Sequence, residues 1–387
     1  MSEAQTGRDV ADSCRRMDAI RRECSAQAEW LRLSEASPAK PEQVCDQLRL
    51  MVDRLISEAG LYAPELAAVA LMQSGGDMIE AVELLRTEST RLERSLTSDI
   101  LDTESMTIER RISSSFREIP GGQILGPTRD YTQRMLRPEL ARESSADQNR
   151  SIHNLLAEDA LGRGRTAPQP LPRVTELLRA DGLMKDRGAP RDGNDPVSDN
   201  TREALRFPHT RSAALQRLAS GETGALMGIG YASQRGYGGG HGTIGELRVG
   251  RVRVRVTDPR GNTRTLGRIR VTECEMVGRA GGGSTPSARI EYSVGYGLCF
   301  GQNETKAICM GKLESALRSP DDDRPPNSPE YVLSHMDGCA AEGAISSLGL
   351  DSFVPLQAWM HARRESDPSR VVRPTPVSEQ ERNGDRT

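Results

Sequence analysis

The chain has 387 residues, 36% of them hydrophobic and only 3% aromatic, and its charged side chains nearly cancel to a formal charge of −3. That length allows two or three core-bearing segments, and the small negative charge argues against a dedicated nucleic-acid surface. No run approaches the roughly 18 apolar residues of a membrane span, and a mean hydropathy of −0.57 marks a chain poor in core material, as suits a subunit completed by partners or one with disordered tracts.

The start, MSEAQTGRDV, has no signal-peptide core. Seven cysteines, at 14, 24, 45, 274, 299, 309 and 339, form no C-x-x-C pair; they are expected to be reduced thiols of a cytoplasmic protein. Residues 8–34 are charge-rich with a thin apolar stripe of Val10, Cys14, Met17 and Ile20, so 1–41 reads as a helix followed by the linker ASPAKPE.

Residues 42–140 read as a helical module, with helices near 42–58, 64–73 and 77–95. Leu66, Val69, Ala70 and Gln73 form the expected inner stripe of the second helix. Pro64 suits a first turn, and Asp77 followed by Glu80 suits an N-cap with its capping-box partner. Further on, Ile108, Ile112, Phe116 and Ile119 have near-helical spacing, with Arg110, Arg111 and Arg117 on the other faces, until PGGQILGP breaks the pattern. Arginines beside a Gly-Gly turn suit a triphosphate clamp, and Asp130 beyond it suits a metal or a helix cap. A salt-bridged helix before an ordinary turn fits the same residues.

Residues 141–204, rich in Arg, Asp, Ser, Gly and Pro, read as a linker relieved only by PRVTELLRADGLM, and 361–387 as a disordered tail. Between them, 205–360 reads as a glycine-rich α+β domain. Its centre is GIGYASQRGYGGGHGTIGELRVG, residues 228–250. Glycines let backbone N–H groups close on an anion, and Arg235, Gly236, Gly238 and His241 are candidates to line such a site. A flexible surface loop accounts for the glycines equally well. Val252, Val254 and Val256 alternate with arginines, DPRGN turns the chain, and Ile269 and Val271 alternate again: a hairpin. Leu247 and Val249 have the opposite parity, which predicts a bulge at Gly250. Glu273 and Glu275 continue the apolar side of the second strand, where a carboxylate wants a cation, a proton or a substrate; a strand that ends at Thr272, with both carboxylates solvated, fits the same residues. A strand near 288–293 leads into GYGLCFG and a helix capped by Asn303, whose N-terminus is a candidate anion site with Lys306 and Lys312 in reach; the solvated side of an amphipathic helix accounts for the lysines as well. Ser328-Pro329 opens a last helix. Helices first and sheet later predict an α+β fold, a mixed or antiparallel sheet with flanking helices.

ERRIS, EIPGGQILGPTRDYT, YASQRGYG, IGELRVG, VTECEMV and GYGLCFG, in that order along the chain, resemble the PhnI family, a subunit of the bacterial carbon-phosphorus lyase system, from about residue 42 to about residue 360. The resemblance implies a core complex with PhnG, PhnH and PhnJ, with two copies of the chain per complex, acting with PhnL to displace adenine from MgATP by a phosphonate. It also implies nucleosidase activity on ATP or GTP when the subunit is alone. It supplies the reaction and not the residue roles. From residue type, Glu273, Glu275 and Asp130 are the catalytic candidates, and Arg110, Arg111, Arg235, Gly236, Gly238 and His241 the nucleotide-binding ones. A non-catalytic scaffold that docks PhnJ is the competing expectation. The chain departs from the family twice: members open with a glycine-containing strand bearing a lysine, and carry two histidines where this chain has Ser347 and Ser352. No zinc site is expected there, because serine is a poor zinc ligand.

Overall fold

The computed structural model describes Arg22 and residues 37–128, 134–162, 171–184, 198–235, 242–258, 260–279, 292–318 and 325–346. The chain divides into two units, 1–338 and 339–387.

Four helices come first: α1 (Pro41–Gln47), α2 (Arg49–Ala59), α3 (Pro64–Gln73) and α4 (Met78–Arg91). Pro64 takes the first turn of α3, and the Asp77 carboxylate accepts from the Ile79 and Glu80 amides at the start of α4. The inner face of α3 differs from the expected stripe. Ala67, Ala68 and Leu71 are buried, whereas Leu66 and Val69 are 39% and 44% exposed. Small residues turned inward let the neighbouring helices approach, and that packing outweighs the hydrophobicity of Leu66.

The segment 107–119 is not helical. Thr107–Ile112 is strand β1, joined in one antiparallel sheet of order β1-β2-β3-β4 by β2 (Thr243–Thr257), β3 (Thr263–Arg279) and β4 (Tyr292–Phe300). The isoleucine spacing fits a helix, but the edge of β2 offers β1 a ladder of backbone partners from Thr107↔Arg251 to Ile112↔Leu247, and tertiary pairing overrides local periodicity. The hairpin β2–β3 forms where expected. Its bulges do not: the extra residues are Gly245 in β2, Leu266 in β3 and Glu109 in β1, not Gly250. The two parities of β2 need no bulge between them because the sheet is covered on both faces. Leu247 packs in one core with Cys274, Met310 and Leu313, while Val252 packs in another with Met106 and Val271.

The stretch 141–204 holds more structure than a linker. It includes α5 (Ser145–Gly162) and α6 (Val174–Ala180). Then come α7 (Arg211–Ser220), α8 (Thr223–Arg235), α9 (Glu304–Leu317), α10 (Pro329–Ser334) and α11 (Gly338–Ser346). α9 lies directly against β3 and β4. A Cβ at Gly295 would collide with the Gly311 carbonyl oxygen, and one at Gly297 with that of Ala307. Gly295 and Gly297 of GYGLCFG therefore serve close helix–sheet packing, and Gly301, at a positive φ, turns the chain against Asp53 of α2. Asn303 caps α9 by accepting from the Lys306 amide, and Ser328 caps α10 by accepting from Tyr331. The result is the expected α+β architecture, helices first and an antiparallel sheet after.

Candidate functional site: a charge cluster on the second face of the sheet

Along a strand, alternate residues share a face. On β2 the set that ends at Val252 includes Glu246 and Arg248; on β3 it includes Val271, Glu273 and Glu275; on β4, Tyr296 and Leu298; on β1, Arg111. Register confirms the layer: Arg248 is opposite Glu273 and Arg111, Glu246 opposite Glu275, and Glu275 opposite Tyr296. This face is turned away from α9.

Charges buried here are paired, as their desolvation demands. The Arg111 guanidinium meets the Glu246 carboxylate at 2.5 Å, and Glu246 also accepts from the Val174 amide. Arg248 forks onto Glu273 and donates to the Thr103 carbonyl. Arg173, just before α6, lies between the two strand-face glutamates, 3.2 Å from Glu273 and 3.3 Å from Glu275. Thr103 and the Tyr296 hydroxyl donate to Glu273 at 2.9 and 2.8 Å, and Thr175 donates to Glu275 at 2.8 Å. Three arginines thus balance three glutamates.

The two glutamates differ in proton affinity. Burial pushes Glu273 upward, but Arg248 and Arg173 outweigh it and hold the carboxyl below its ordinary range. Burial dominates at Glu275, with repulsion from Glu273 and Glu246 added against the pull of Arg173, so its carboxyl is raised. Burial beside Glu273 also raises the Tyr296 phenol. The cluster reaches solvent at one corner, where the side chains of Arg173 and Glu275 are 13% and 12% exposed while Glu273 is closed at 1%.

Arg110 and Arg111 are fully buried and not available as a surface clamp. Adjacent strand residues point to opposite faces, so Arg111 joins the cluster while Arg110 pairs with Glu304 of α9 at 3.0 Å. The PGGQILGP loop folds back on β1, and its carbonyls hold both arginines: Pro120 O accepts from Arg111 and Leu125 O from Arg110. The turn clamps the arginines, and a triphosphate has no free fork there. Arg235 is exposed in the last turn of α8. Asp130, Gly236, Gly238, His241, Ser347 and Ser352 lie outside the described residues. Lys306 is fully buried, and burial lowers its amine to about 8. Among the described residues no group of three or more His, Cys, Asp or Glu side chains is placed to hold a metal.

Arg248, Arg173, Thr103, Thr175 and Tyr296 are the members of the cluster that the sequence pattern does not single out; Glu246 stands there only as one of the charges of the glycine-rich stretch 228–250. Glu246 and Arg248 carried a signal, since they occupy the parity of Val252, Val254 and Val256. Arg173 and Thr103 carried none, because they come from loops brought in by tertiary packing.

The chain matches the family model for PhnI, described as bacterial phosphonate metabolism protein, over residues 16–368. It is 40% identical over 335 residues to alpha-D-ribose 1-methylphosphonate 5-triphosphate synthase subunit PhnI of Rhizobium meliloti (strain 1021), covering 84% of this chain and 87% of that protein. Identity is 40% over 359 residues to the putative C-P lyase subunit protein HtxH of Stutzerimonas stutzeri, covering 90% and 94%, and 39% over 334 residues to the PhnI subunit of Escherichia coli (strain K12), covering 84% and 88%.

Proposed function

This chain belongs to the PhnI family of bacterial phosphonate metabolism proteins, and we propose that it is a cytoplasmic synthase subunit that displaces adenine from MgATP with a phosphonate. The partners in this reading are PhnG, PhnH, PhnJ and PhnL, in an assembly with two copies of the chain. Among the described residues no single helix is long and apolar enough to cross a membrane.

What supports the catalytic reading is the open corner of the cluster, where Glu275 and Arg173 reach solvent beside the closed Glu273, together with the opposite directions in which their surroundings push the two carboxyls. Substitution at an anomeric carbon develops positive charge on the sugar and expels a purine that needs a proton. An ionised carboxylate suits the first need and a protonated one the second, and neighbouring carboxylates pushed apart in proton affinity mark such pairs. In this scheme a phosphonate oxygen forms the new bond to C1′ as the C1′–N9 bond breaks. The bonding electrons leave with adenine, which takes a proton from Glu275 at the open corner. Glu273 and Arg173 orient that acid, and Glu275 regains its proton from solvent. Without phosphonate, water takes the nucleophile's place, which is the nucleosidase reaction on ATP or GTP. The cluster does not fit a resident Mg²⁺, because the Glu273 and Glu275 oxygens already accept from Arg248, Arg173, Thr103, Tyr296 and Thr175, and three guanidinium groups repel a dication. Magnesium belongs to the substrate, on the triphosphate. Arg235 and the backbone of 236–242, which runs into β2, are the proposed phosphate contacts.

Release of free adenine from ATP tests this. Glu275→Gln is expected to lower turnover roughly a hundredfold while the assembly stays intact, and the amide should raise stability at neutral pH. A carboxyl raised in the fold is stabilising when protonated, below its unfolded pKa, and that contribution is lost as pH rises through the folded one. Parental turnover in Glu275→Gln would overturn the assignment. The saturation of every cluster carboxylate by protein donors favours a second reading, a non-catalytic scaffold that docks PhnJ; a parent chain that releases no adenine alone or in the complex would select it.

A further inference from the structure

We infer that the outer face of the β2–β3 hairpin is a docking surface for an acidic surface of another protein subunit. The inference rests on the multi-subunit reading above and adds where and by what chemistry the chain is held.

β1 pairs with β2 only as far as Arg251, and β4 with β3 only from Val271. Beyond those limits β2 and β3 continue as a two-stranded ribbon. One face of it is closed: Val252 is buried with Met106 against Leu101 and Ile269, and the Asp99 amide donates to the Arg255 carbonyl at 2.8 Å. That support fixes which side chains point the other way. There the register sets Arg251 opposite Arg270 and Arg253 opposite Arg268, with Arg255 next along β2.

Like charges directly opposite across a ladder are destabilising, and only the inner pair is relieved. Glu109 accepts from Arg251 at 2.9 Å and from Arg270 at 3.0 Å. Arg253 and Arg268 are exposed and pair with no carboxylate among the described residues. From Arg251 to Arg270 there are seven arginines against one aspartate, a net +6 in a chain of −3, so the rest of the chain carries −9. Leu266, the bulged residue within this field, is 62% exposed.

Arg253 and Arg268, opposed and without a counter-ion among the described residues, suit one supplied from outside. Guanidinium forks match carboxylates bidentately, and arginines around an apolar anchor are the usual make-up of a protein interface core. Nucleic acid fits less well. The ribbon has no aromatic side chain on which bases would stack, and a charge of −9 on the remainder repels a polyphosphate.

The test compares the parent chain with Arg253→Glu/Arg268→Glu, each co-expressed with PhnG, PhnH and PhnJ and sized by chromatography with light scattering across a salt series. Both positions are exposed, so the variant is expected to keep the parental melting temperature. It should lose at least one partner, with affinity weakened tenfold or more, while Arg253→Lys/Arg268→Lys, which keeps the charge and loses the fork, weakens that partner by less than the charge reversal does, and the parental assembly should weaken as salt rises. A charge-reversed chain that holds every partner with the parental salt response overturns the inference and leaves the catalytic reading standing. So does a parent that binds duplex DNA through the ribbon while the variant binds none and keeps all its protein partners. A parent that binds none of the three subunits overturns both the assembly and this surface.

Discussion

The two faces of the one sheet solve the same problem of burial in opposite ways. On the α9 face the solution is removal: Gly295 and Gly297 give up side chains so that a helix backbone lies on the sheet, and Met310 and Leu313 fill what remains. On the other face the strands keep long charged side chains and neutralise them against one another, Arg111 with Glu246 and Arg248 with Glu273. The first face gains stability from packing that no chemistry can use. The second holds polar groups at a cost in desolvation and keeps carboxylates of unequal proton affinity, the arrangement expected of a face retained for function.

The largest effect should come from filling the packed face. Gly297→Val would drive a side chain into the Ala307 carbonyl and Met310, and neither can retreat, because both belong to α9. The variant is expected to be insoluble or to unfold without a cooperative transition, as read by soluble yield and near-ultraviolet circular dichroism. A well-folded Gly297→Val would show that α9 is not seated by close approach.

Next is the charged face. Arg248→Met leaves Glu273 buried without its forked partner and should cost about 3–5 kcal/mol in urea unfolding. Adding Glu273→Leu removes the under-compensated charge and should recover part of that loss, the Tyr296 and Thr103 hydroxyls then lacking their acceptor. If the double variant is no more stable than Arg248→Met, the ion pair is not what makes the single change costly.

The smallest expected effect concerns an unpaired charge on the packed side, where Arg110 is matched by Glu304. Lys306 is buried beside Cys299, and its amine has no hydrogen-bond partner among the described residues. Burial lowers it from 10.5 to about 8, so between those values the unfolded chain binds more protons and stability rises with pH. Lys306→Met should therefore be stabilising at neutral pH, by up to about 3 kcal/mol, with the gain fading between about pH 8 and pH 10.5. Thermal melts of parent and variant at about pH 7 and about pH 10 read this directly. An equal difference at both pH values would show that the amine does not titrate in that window.

Several features are legible in the amino-acid sequence alone. The hairpin over 252–271, the proline starts at 64 and 329 and the caps Asp77, Asn303 and Ser328 all follow from local chemistry, since a turn, a fixed φ or a side-chain acceptor acts within a few residues. The place of Glu273 and Glu275 is legible for the same reason: strand alternation assigns a face without knowledge of what covers it. Other features are decided only by tertiary contact. β1 reads as a helix until the edge of β2 offers it a ladder, and α3 turns its alanines inward because neighbouring helices need the space. Arg110 and Arg111 read as a phosphate clamp until the loop that follows them takes up their guanidinium groups. Arg173 and Thr103 reach Glu273 from 100 and 170 residues away in sequence. Periodicity reports which face a residue is on; what stands opposite that face, and so whether a charge there is a ligand site or an ion pair, is set by segments that no local pattern connects.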